Sequence, residues 1–344
     1  MNPSLPRAQG VLESGCGTLF TGAVARVEQG GRLIFERAYG ATRADGDAEA
    51  VYVDTRFDLA SLTKLFVSTV ALELANRGLL PLDAPLIDVV GEWRRLPQSA
   101  ITSRMLLAHT SGMHSGADYR ALFDEDVERY VLLRELAAPP GERVIYSDLG
   151  MIALGVVIRR VTGLGLPAAL ARAFPGLSVG FTPPSREFRM IPATELDAWR
   201  GRVQGSVHDE KAHILNGVAG HAGLFGSARD VAALTEVFLA ASAGREQHVL
   251  APEIARAAVR EQAYDPVLRR GLGWAMKTSD DNSCGRLYGS ESFGHTGFTG
   301  TCVWADPERD LQALLLTNTV YFGRSDSRPL RAAFFEAVVE DVNA

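Results

Sequence analysis

The sequence predicts an α+β protein in which an antiparallel sheet, flanked by helices, is built from strands at both ends of the chain. Strand-like segments occur at residues 22–40 and again at residues 292–319, whereas helical patterns dominate the chain between them. Strands from distant parts of a chain can share one sheet when helices cover its faces. We therefore expect a sheet domain made of residues 1–80 and 216–344, and a mostly helical inserted lobe made of residues 81–215.

The N-terminal third contains a predicted hairpin and a predicted helix. Residues 22–40 form two β-rich segments around Gly30 and Gly31, a pair that favours a tight hairpin turn. Residues 61–78 place leucine and valine at helical spacing and end in Gly78, which suits a C-cap. Because that helix is apolar almost all round, we expect it to be central and buried.

The rest of the chain continues with helices and then returns to strands. One long helix is predicted to start at Ser147 or Asp148, either of which can cap it, and to end at Gly163. Another helix follows, with Asp230 near its start. Three strands are then expected, the last two joined by a turn at residues 306–310, before a closing amphipathic helix.

The composition is that of a globular protein with no charge signature for a macromolecular partner. Of the 344 residues, 47% are hydrophobic and 22% are charged, and the net charge is -6. This balance excludes the basic surface expected of a nucleic-acid binder. No apolar stretch approaches the roughly 18 residues of a membrane span. No partner protein is indicated.

The N-terminal segment and the cysteines both bear on the compartment. The opening MNPSLPRAQGVLESG lacks the basic and apolar regions of a signal peptide. We therefore expect a cytoplasmic protein, although an exported chain trimmed of its signal would look the same. Three cysteines at wide spacing predict reduced thiols, not a disulfide framework or a metal site. They are Cys16, Cys284 and Cys302.

A group of histidines lies in a glycine-rich segment of the second half of the chain. His208, Asp209, His213 and His221 resemble a ligand series, but their spacing fits no common zinc signature. We expect His208, Asp209 and His221 to line a cleft or to hold its loop by hydrogen bonds. No metal and no other cofactor are predicted. His109 is expected to be a structural turn residue.

The stretch FDLASLTKLF, residues 57–66, places Ser61 and Lys64 on one face of the predicted helix. Only three of the 35 basic residues are lysine: Lys64, Lys211 and Lys277. A serine at a helix N-terminus needs a base to become a nucleophile, and lysine, unlike arginine, can lose its proton. Lys64 could serve if apolar neighbours such as Leu65 and Phe66 lower its pKa. The structural alternative is a capping Ser61 and a solvated Lys64.

Two further motifs follow in order along the chain: Tyr146-Ser147-Asp148 and His295-Thr296-Gly297. Together with Ser61-Leu62-Thr63-Lys64 they resemble the signatures S-x-x-K, Y-x-N and K/H-T-G of the serine penicillin-recognising superfamily. That superfamily includes class C β-lactamases, D-alanyl-D-alanine carboxypeptidases, D-aminopeptidases and related esterases. The blocks GVAGHAGLFGSARDVAAL and GHTGFTGTCVWADP look like the branch of penicillin-binding protein 4B-type serine hydrolases. The resemblance covers most of the chain.

The resemblance implies a catalytic mechanism and a set of site residues. Ser61 would be the nucleophile that becomes acylated, and Lys64 and Tyr146 would share the proton transfers, with Tyr146 protonating the leaving group. The oxyanion hole would use the backbone N–H groups of Ser61 and Phe298. The remaining signature residues would contact the substrate: Asp148, His295, Thr296 and Gly297. A glycine at 297 suits a close approach of substrate and backbone.

Two residues depart from the signatures. Asp148 replaces an asparagine, and its carboxylate can only accept hydrogen bonds. It would raise the pKa of Lys64 and leave more of the base role to Tyr146. Alternatively, Asp148 only caps the following helix. His295 replaces a lysine and, as a partly charged imidazole, would hold a substrate carboxylate weakly. A carboxylate-bearing substrate would then bind more tightly as pH falls from about 8 to about 6.

These observations predict a serine hydrolase that forms an acyl-enzyme with a small ester or amide substrate, of the esterase or D-amino-acid and muropeptide peptidase type. Two alternatives remain open. One is a β-lactamase or a penicillin-binding D,D-carboxypeptidase. The other is a catalytically silent binding protein on the same fold.

Overall fold

The computed structural model describes residues 4–123, 125–267 and 269–344, which fold around a six-stranded antiparallel sheet. The strands are β1 (Gly22–Gln29), β2 (Arg32–Gly40), β3 (Phe57–Asp58), β4 (Gly180–Phe181), β5 (Leu196–Asp197), β6 (Gly201–Arg202), β7 (Leu224–Gly226), β8 (Ala275–Met276), β9 (Phe293–Thr296), β10 (Cys302–Asp306) and β11 (Leu311–Thr317). The helices are α1 (Pro6–Gly15), α2 (Thr63–Asn76), α3 (Ser103–Leu107), α4 (Val127–Leu133), α5 (Asp148–Thr162), α6 (Leu166–Ala173), α7 (Glu210–Ile214), α8 (Ala228–Ser242), α9 (Pro252–Ala258) and α10 (Arg328–Val342).

The large sheet joins the two ends of the chain. Its strand order is β2-β1-β11-β10-β9-β8, so the N-terminal hairpin pairs with the last C-terminal strand. Strands β1 and β11 run antiparallel, with Ala23 opposite Thr317. Gly30 and Gly31 make the hairpin turn with φ values of 58° and 71°, which glycine adopts readily. The predicted hairpin, the three C-terminal strands and the α+β fold class are confirmed.

Each face of the large sheet is covered by its own hydrophobic core. Along β11 successive side chains alternate between the faces. Leu311, Ala313 and Leu315 pack with residues of the terminal helices α1 and α10. Leu314 and Leu316 belong to the larger core, which contains α2, α5 and α8. The sheet is therefore a middle layer between helices.

Helix α2 occupies the larger core, as its apolar surface predicts. Eleven of its residues are buried, Lys64 among them. The chain reaches it through a single 3-10 turn, Ala60–Leu62, so Ser61 lies just before the first α-helical residue, Thr63. Gly78 follows its C-terminus with a left-handed φ of 70°. The predicted helix is thus confirmed, with an α-helical start two residues later than expected.

Helices α3 to α7 lie in the segment expected to form the inserted lobe. Strand β7 pairs with both β3 and β4, which makes a small three-stranded sheet next to the 3-10 turn. The domain limits at residues 80 and 215 stay a prediction. Within the described ranges, no single helix is long and apolar enough to cross a membrane. Helices α5 and α6 together reach that length and composition, across a bend of 75°.

The cysteines are free thiols, and two of them, Cys284 and Cys302, are buried. Burial raises the pKa of the Cys284 thiol to about 12 and that of Cys302 to about 11. Both thiols are therefore protonated at neutral pH, and they are unreactive because the thiolate is the reactive form.

Candidate active site

The turn before α2 presents Ser61 in a constrained backbone conformation. Ala60, directly before it, has a φ of 46°, a left-handed value that is unfavourable for a non-glycine residue. The N–H of Ala60 donates to Asp58 Oδ1 at 2.9 Å, and the N–H of His208 donates to Asp58 Oδ2 at 2.6 Å. The buried Asp58 carboxylate thus ties the turn that carries Ser61 to the loop that carries His208.

Lys64 lies one turn into the helix and directs its ammonium at Ser61. Its Nζ is 2.9 Å from Ser61 Oγ, 2.9 Å from Asp148 Oδ1 and 3.0 Å from the carbonyl oxygen of His221. An ammonium has three N–H donors, and these three acceptors match that number. Lys64 Nζ also lies 4.9 Å from the ring centroid of Tyr146. The structure therefore brings together Ser61, Lys64, Tyr146 and Asp148 from two separate helices and their N-terminal turns.

The surroundings keep Lys64 and Asp148 as an ion pair. Burial by itself would lower the pKa of Lys64, but Tyr146 and Asp148 outweigh it, and the pKa is raised. Burial would raise the pKa of Asp148, but Lys64 and other nearby cations outweigh it, and the pKa is lowered. The condition for a neutral Lys64, a pKa lowered by apolar neighbours, is therefore not met. The surroundings favour the expected rise in the Lys64 pKa instead.

Asp148 does not cap the helix that follows it. Ser147 is the N-cap of α5, and its hydroxyl accepts a hydrogen bond of 2.8 Å from the N–H of Gly150. Asp148 is the first residue of α5, and its two carboxylate oxygens pair with Lys64 and Lys211. The capping alternative for Asp148 is therefore wrong, because the neighbouring Ser147 hydroxyl already fills that place.

A second lysine, Lys211, extends the network beyond Asp148. Its Nζ lies 3.3 Å from Asp148 Oδ2 and 3.1 Å from Asp209 Oδ2. Asp209 in turn has its Oδ1 2.7 Å from His221 Nε2. A continuous chain of contacts thus runs from Ser61 through Lys64 and Asp148 to the loop with Asp209 and His221. Sequence reasoning did not select Lys211, although its rarity as one of three lysines was a usable signal.

Asp148 and the loop with Asp209 and His221 bring three possible metal ligands close together. Ligand atoms of Asp148, Asp209 and His221 all lie within 4.8 Å of one another. However, the two carboxylates already share the ammonium of Lys211, and Lys64 pairs with Asp148 as well. Two cations therefore balance the two anions without an ion. The prediction that the protein needs no metal stays a prediction.

His109 holds Tyr146 in place from both sides. Its carbonyl oxygen accepts from the N–H of Ile145 at 2.8 Å, and its Nδ1 accepts from the N–H of Ser147 at 3.1 Å. His109 has a left-handed φ of 59°, in keeping with the expected turn residue. Its ring also packs on Tyr146, with ring centroids 4.7 Å apart. His109 therefore does more than form a turn, because it orients the tyrosine of the second signature.

The surroundings of His295 favour its neutral form. Its side chain is buried, and its Nδ1 lies 2.9 Å from the carbonyl oxygen of Thr296, which assigns the proton to Nδ1. Burial, together with the positive charges of Arg270 and Lys64, holds the pKa of His295 well below 6.5. The expectation of a partly charged imidazole at pH 7 is therefore wrong. The expected rise in carboxylate affinity between pH 8 and pH 6 loses its basis.

The strand end after His295 is fastened to the nucleophile turn. Thr301 Oγ1 donates to the carbonyl oxygen of Leu59 at 3.1 Å. A Cβ at Gly297 would lie 2.1 Å from Thr301 Oγ1 and 2.7 Å from that same carbonyl oxygen, so only glycine fits. The buried Arg331 donates from Nη2 to the carbonyl oxygen of Gly297 at 2.7 Å. The N–H of Phe298 has no hydrogen-bond partner in the described part of the chain.

The remaining predicted loop residues divide between the network and the cleft edge. The ring of His208 stacks on that of Phe298, with centroids 5.5 Å apart, and its Nε2 lies 3.1 Å from Glu195 Oε1. Phe298 itself is 56% exposed, so this edge is open to a ligand. His213 packs against Trp199 instead, at 5.3 Å between ring centroids, and lies outside the network.

Comparison with known proteins gives a family match over nearly the whole chain. The model of the Beta-lactamase family matches residues 17–337. A relative from Bacillus subtilis named N-acetylmuramyl-L-alanine amidase is 29% identical, over 91% of this chain and 80% of its own length. An Escherichia coli protein provisionally named a D-alanyl-D-alanine carboxypeptidase is 27% identical, over 83% of this chain and 76% of its own length.

Solved structures share the fold at lower identity. The hydrolase EstCE1, described as having promiscuous acyltransferase activity, superposes with a TM-score of 0.77 at 21% identity, over 96% of this chain and 98% of its own. A class C β-lactamase from Rhodobacter sphaeroides superposes with a TM-score of 0.76 at 20% identity, over 98% of this chain and 99% of its own.

Proposed function

The chain belongs to the Beta-lactamase family and is a serine hydrolase of that superfamily, and we propose that it acts on small esters or amides through an acyl-enzyme on Ser61. The observation that carries this proposal is the position of Lys64 Nζ, 2.9 Å from both Ser61 Oγ and Asp148 Oδ1. A cationic lysine so placed holds the serine hydroxyl in one orientation and stabilises negative charge on its oxygen.

The proton of Ser61 goes to Tyr146 in this mechanism. Lys64 keeps its own proton because Asp148 stabilises the ammonium, so it cannot take another. Tyr146, as the phenolate, accepts the proton while Ser61 Oγ bonds to the acyl carbon. Tyr146 then donates that proton to the leaving oxygen or nitrogen as its bond to the acyl carbon breaks. Water hydrolyses the acyl-enzyme and restores the Ser61 hydroxyl.

Two backbone groups are proposed to bind the oxyanion: the N–H of Ser61 and the N–H of Phe298. The free N–H of Phe298 and the contacts that join its strand to the nucleophile turn support this assignment. Donors of this kind typically contribute several kcal/mol each to transition-state stabilisation. Asp148 is then a residue that orients Lys64, and His295, Thr296 and Gly297 shape the edge on which the substrate lies.

The proposed substrates are esters and peptide fragments of the cell wall, including D-amino-acid peptides. The names of the amidase and carboxypeptidase relatives support a cell-wall amide. A β-lactam is the second candidate, favoured by the family itself. The neutral His295 argues against tight binding of the carboxylate that a penicillin carries.

Intact-protein mass spectrometry tests the acyl-enzyme directly. The purified chain is incubated with p-nitrophenyl esters, penicillins and D-alanyl-D-alanine peptides, and Ser61→Ala is the control. We expect an acyl adduct on the wild type with an ester or a D-peptide, and none on Ser61→Ala. We also expect Tyr146→Phe to acylate at least about a hundredfold more slowly, since a general base contributes about that much. An adduct that persists in Ser61→Ala, or the absence of any adduct, refutes the proposal and favours the silent binding protein.

A small-molecule substrate is the proposed partner, and no nucleic acid or protein partner is proposed. The cytoplasmic location stays a prediction. Cell fractionation with an antibody against the chain tests it, and recovery of the protein outside the cytoplasm refutes it.

A further inference from the structure

Arg270 is a buried cation with no carboxylate bound to its guanidinium among the residues that the structure describes. Its relative exposure is 5%, and its Nε and Nη1 reach neither solvent nor a hydrogen-bond acceptor in the described ranges. Two hydrogen bonds fix its backbone in the loop before β8: its N–H donates to the carbonyl oxygen of Ala263 at 2.9 Å, and its carbonyl oxygen accepts from the N–H of Gln262 at 2.8 Å. By contrast the neighbouring Arg269 pairs with Glu261 and Glu291. The backbone of Arg270 is thus fixed in place, but no carboxylate balances the charge of its side chain.

The group that faces this cation is the ring of Tyr146. The guanidinium carbon of Arg270 lies 5.0 Å from the ring centroid, and Lys64 Nζ lies 4.9 Å from it. A cation over a neutral phenol gains far less than the cost of burying an unpaired charge. With Tyr146 as a neutral phenol the arrangement is therefore unfavourable for Arg270, whereas loss of the phenol proton to solvent gives a phenolate that balances the charge of the guanidinium.

Among the described residues that face Tyr146, no other group supplies that negative charge. His109 and His295 lie 4.7 Å and 5.9 Å from Tyr146 between ring centroids, and both are buried. Burial and then the charges of Arg270 and Lys64 hold the pKa of each histidine well below 6.5. Asp148 is already shared between two lysines.

We propose that Arg270 is a positioning residue whose charge stabilises the Tyr146 phenolate that accepts the Ser61 proton. Arg270 thereby supplies, from a different segment, a cation that the third signature lacks because His295 is neutral. When Ser61 Oγ bonds to the acyl carbon, its proton passes to Tyr146, and the phenol then returns it to the leaving group. This inference rests on the proposed function, since it concerns the base of that reaction.

The pH dependence of acylation tests the role. Acylation of the full chain is followed with uncharged p-nitrophenyl acetate from about pH 5 to about pH 10. In Arg270→Met we expect the acid limb of kcat/KM to move up by about one pH unit or more, the size of effect that one nearby charge produces. Arg270→Lys keeps the charge and is expected to leave the limb within about half a unit of the wild type. Arg269→Met is the matched control, because that arginine is paired with glutamates, and its limb stays in place.

Three outcomes overturn the inference. The first is an Arg270→Met profile that is lowered equally at all pH values, which is the result of a structural role. The second is a loss seen only in KM for carboxylate-bearing substrates, which would make Arg270 a substrate-binding residue. The third is an Arg270→Ala pH profile that matches the wild-type profile and does not change when methylguanidinium is added. The methylguanidinium is kept well below the concentrations that unfold the chain. Circular dichroism confirms that each variant is folded.

The adduct experiment separates failure of this inference from failure of the proposed function. If the wild type forms no Ser61 adduct, the proposed function has failed. If it forms the adduct but the Arg270→Met profile is unshifted, only this inference is refuted.

Discussion

Lys211 and Lys64 bind opposite oxygens of the same carboxylate. Lys211 Nζ lies 3.3 Å from Asp148 Oδ2, and Lys64 Nζ lies 2.9 Å from Asp148 Oδ1. Lys211 Nζ also lies 3.1 Å from Asp209 Oδ2. Asp148, the residue that departs from the second signature, is therefore accommodated by a lysine that the signatures do not include. The two carboxylates would repel each other if Lys211 were removed.

We expect Lys211→Met to lower kcat/KM by about tenfold or more, a loss of about 1.4 kcal/mol in transition-state stabilisation. The physical reason is that Asp148 and Asp209 then lie close together without a cation between them, so the pKa of Asp148 rises and its ion pair with Lys64 weakens. Steady-state kinetics with a p-nitrophenyl ester measure the effect.

A double-mutant cycle separates this effect from general damage. In an Asp148→Asn background, Lys211→Met should cost less, with a coupling energy of at least about 1 kcal/mol. Additive losses would show that Lys211 acts without Asp148. Lys277→Met is the matched control, because the Lys277 ammonium bonds the carbonyl oxygens of Arg286 and Tyr288. It should reduce stability but leave kcat/KM of the folded protein unchanged.

Gly297→Ala should reduce kcat by about a hundredfold, the effect of moving an active-site group by about 1 Å. The added Cβ would lie 2.1 Å from Thr301 Oγ1 and 2.7 Å from the carbonyl oxygen of Leu59, so the strand must move away from the nucleophile turn. Gly91→Ala adds the same atom where no described residue apart from its chain neighbours has an atom within 4 Å. A Gly297→Ala enzyme with kcat within twofold of Gly91→Ala would contradict the proposed oxyanion strand.

The KM for a carboxylate-bearing substrate should stay constant between about pH 8 and about pH 6. Burial and nearby cations hold the pKa of His295 well below 6.5, so the imidazole gains no charge over that range. Measurements with a D-alanyl-D-alanine peptide, with an uncharged ester as control, test this. A KM that falls tenfold for the peptide alone, and no longer does so in His295→Asn, would show that His295 is charged after all.

The free energy of unfolding should fall as pH decreases from about 7 to about 5. The folded chain holds the pKa of both His109 and His295 well below 6.5, so the unfolded chain binds more protons once pH drops below that value. Each histidine then removes up to about 1.4 kcal/mol of stability per pH unit. Burial raises the pKa of Asp58, which offsets part of this loss.

Urea unfolding at several pH values measures this slope. His295→Asn should make it shallower, whereas His248→Asn, at an exposed position, should leave it unchanged. A stability that rises as pH falls over this range would mean that the two buried histidines accept protons in the folded chain.

Much of the fold could be predicted because the responsible interactions are local. Gly30 and Gly31 need neighbours only a few residues away to form a hairpin turn. The spacing of Ser61 and Lys64 places them on one helical face whatever surrounds the helix. The sequence did not decide which residue caps α5, because the side chains of Ser147 and Asp148 can both accept the capping hydrogen bond. The structure assigned the cap to Ser147 since Asp148 meets two lysines there.

The sequence alone determined the fold class, a sheet with strands from both ends of the chain, and the choice of Ser61, Lys64 and Tyr146 as a candidate catalytic group. Only the tertiary structure determined the charges at that site: a cationic Lys64, a neutral His295, and the part played by Lys211 and Arg270. Spacing along a chain specifies which side chains share a helix or a strand. The affinity of a side chain for a proton depends instead on its burial and on charges within a few ångströms. Those charges come from segments that are far apart in sequence.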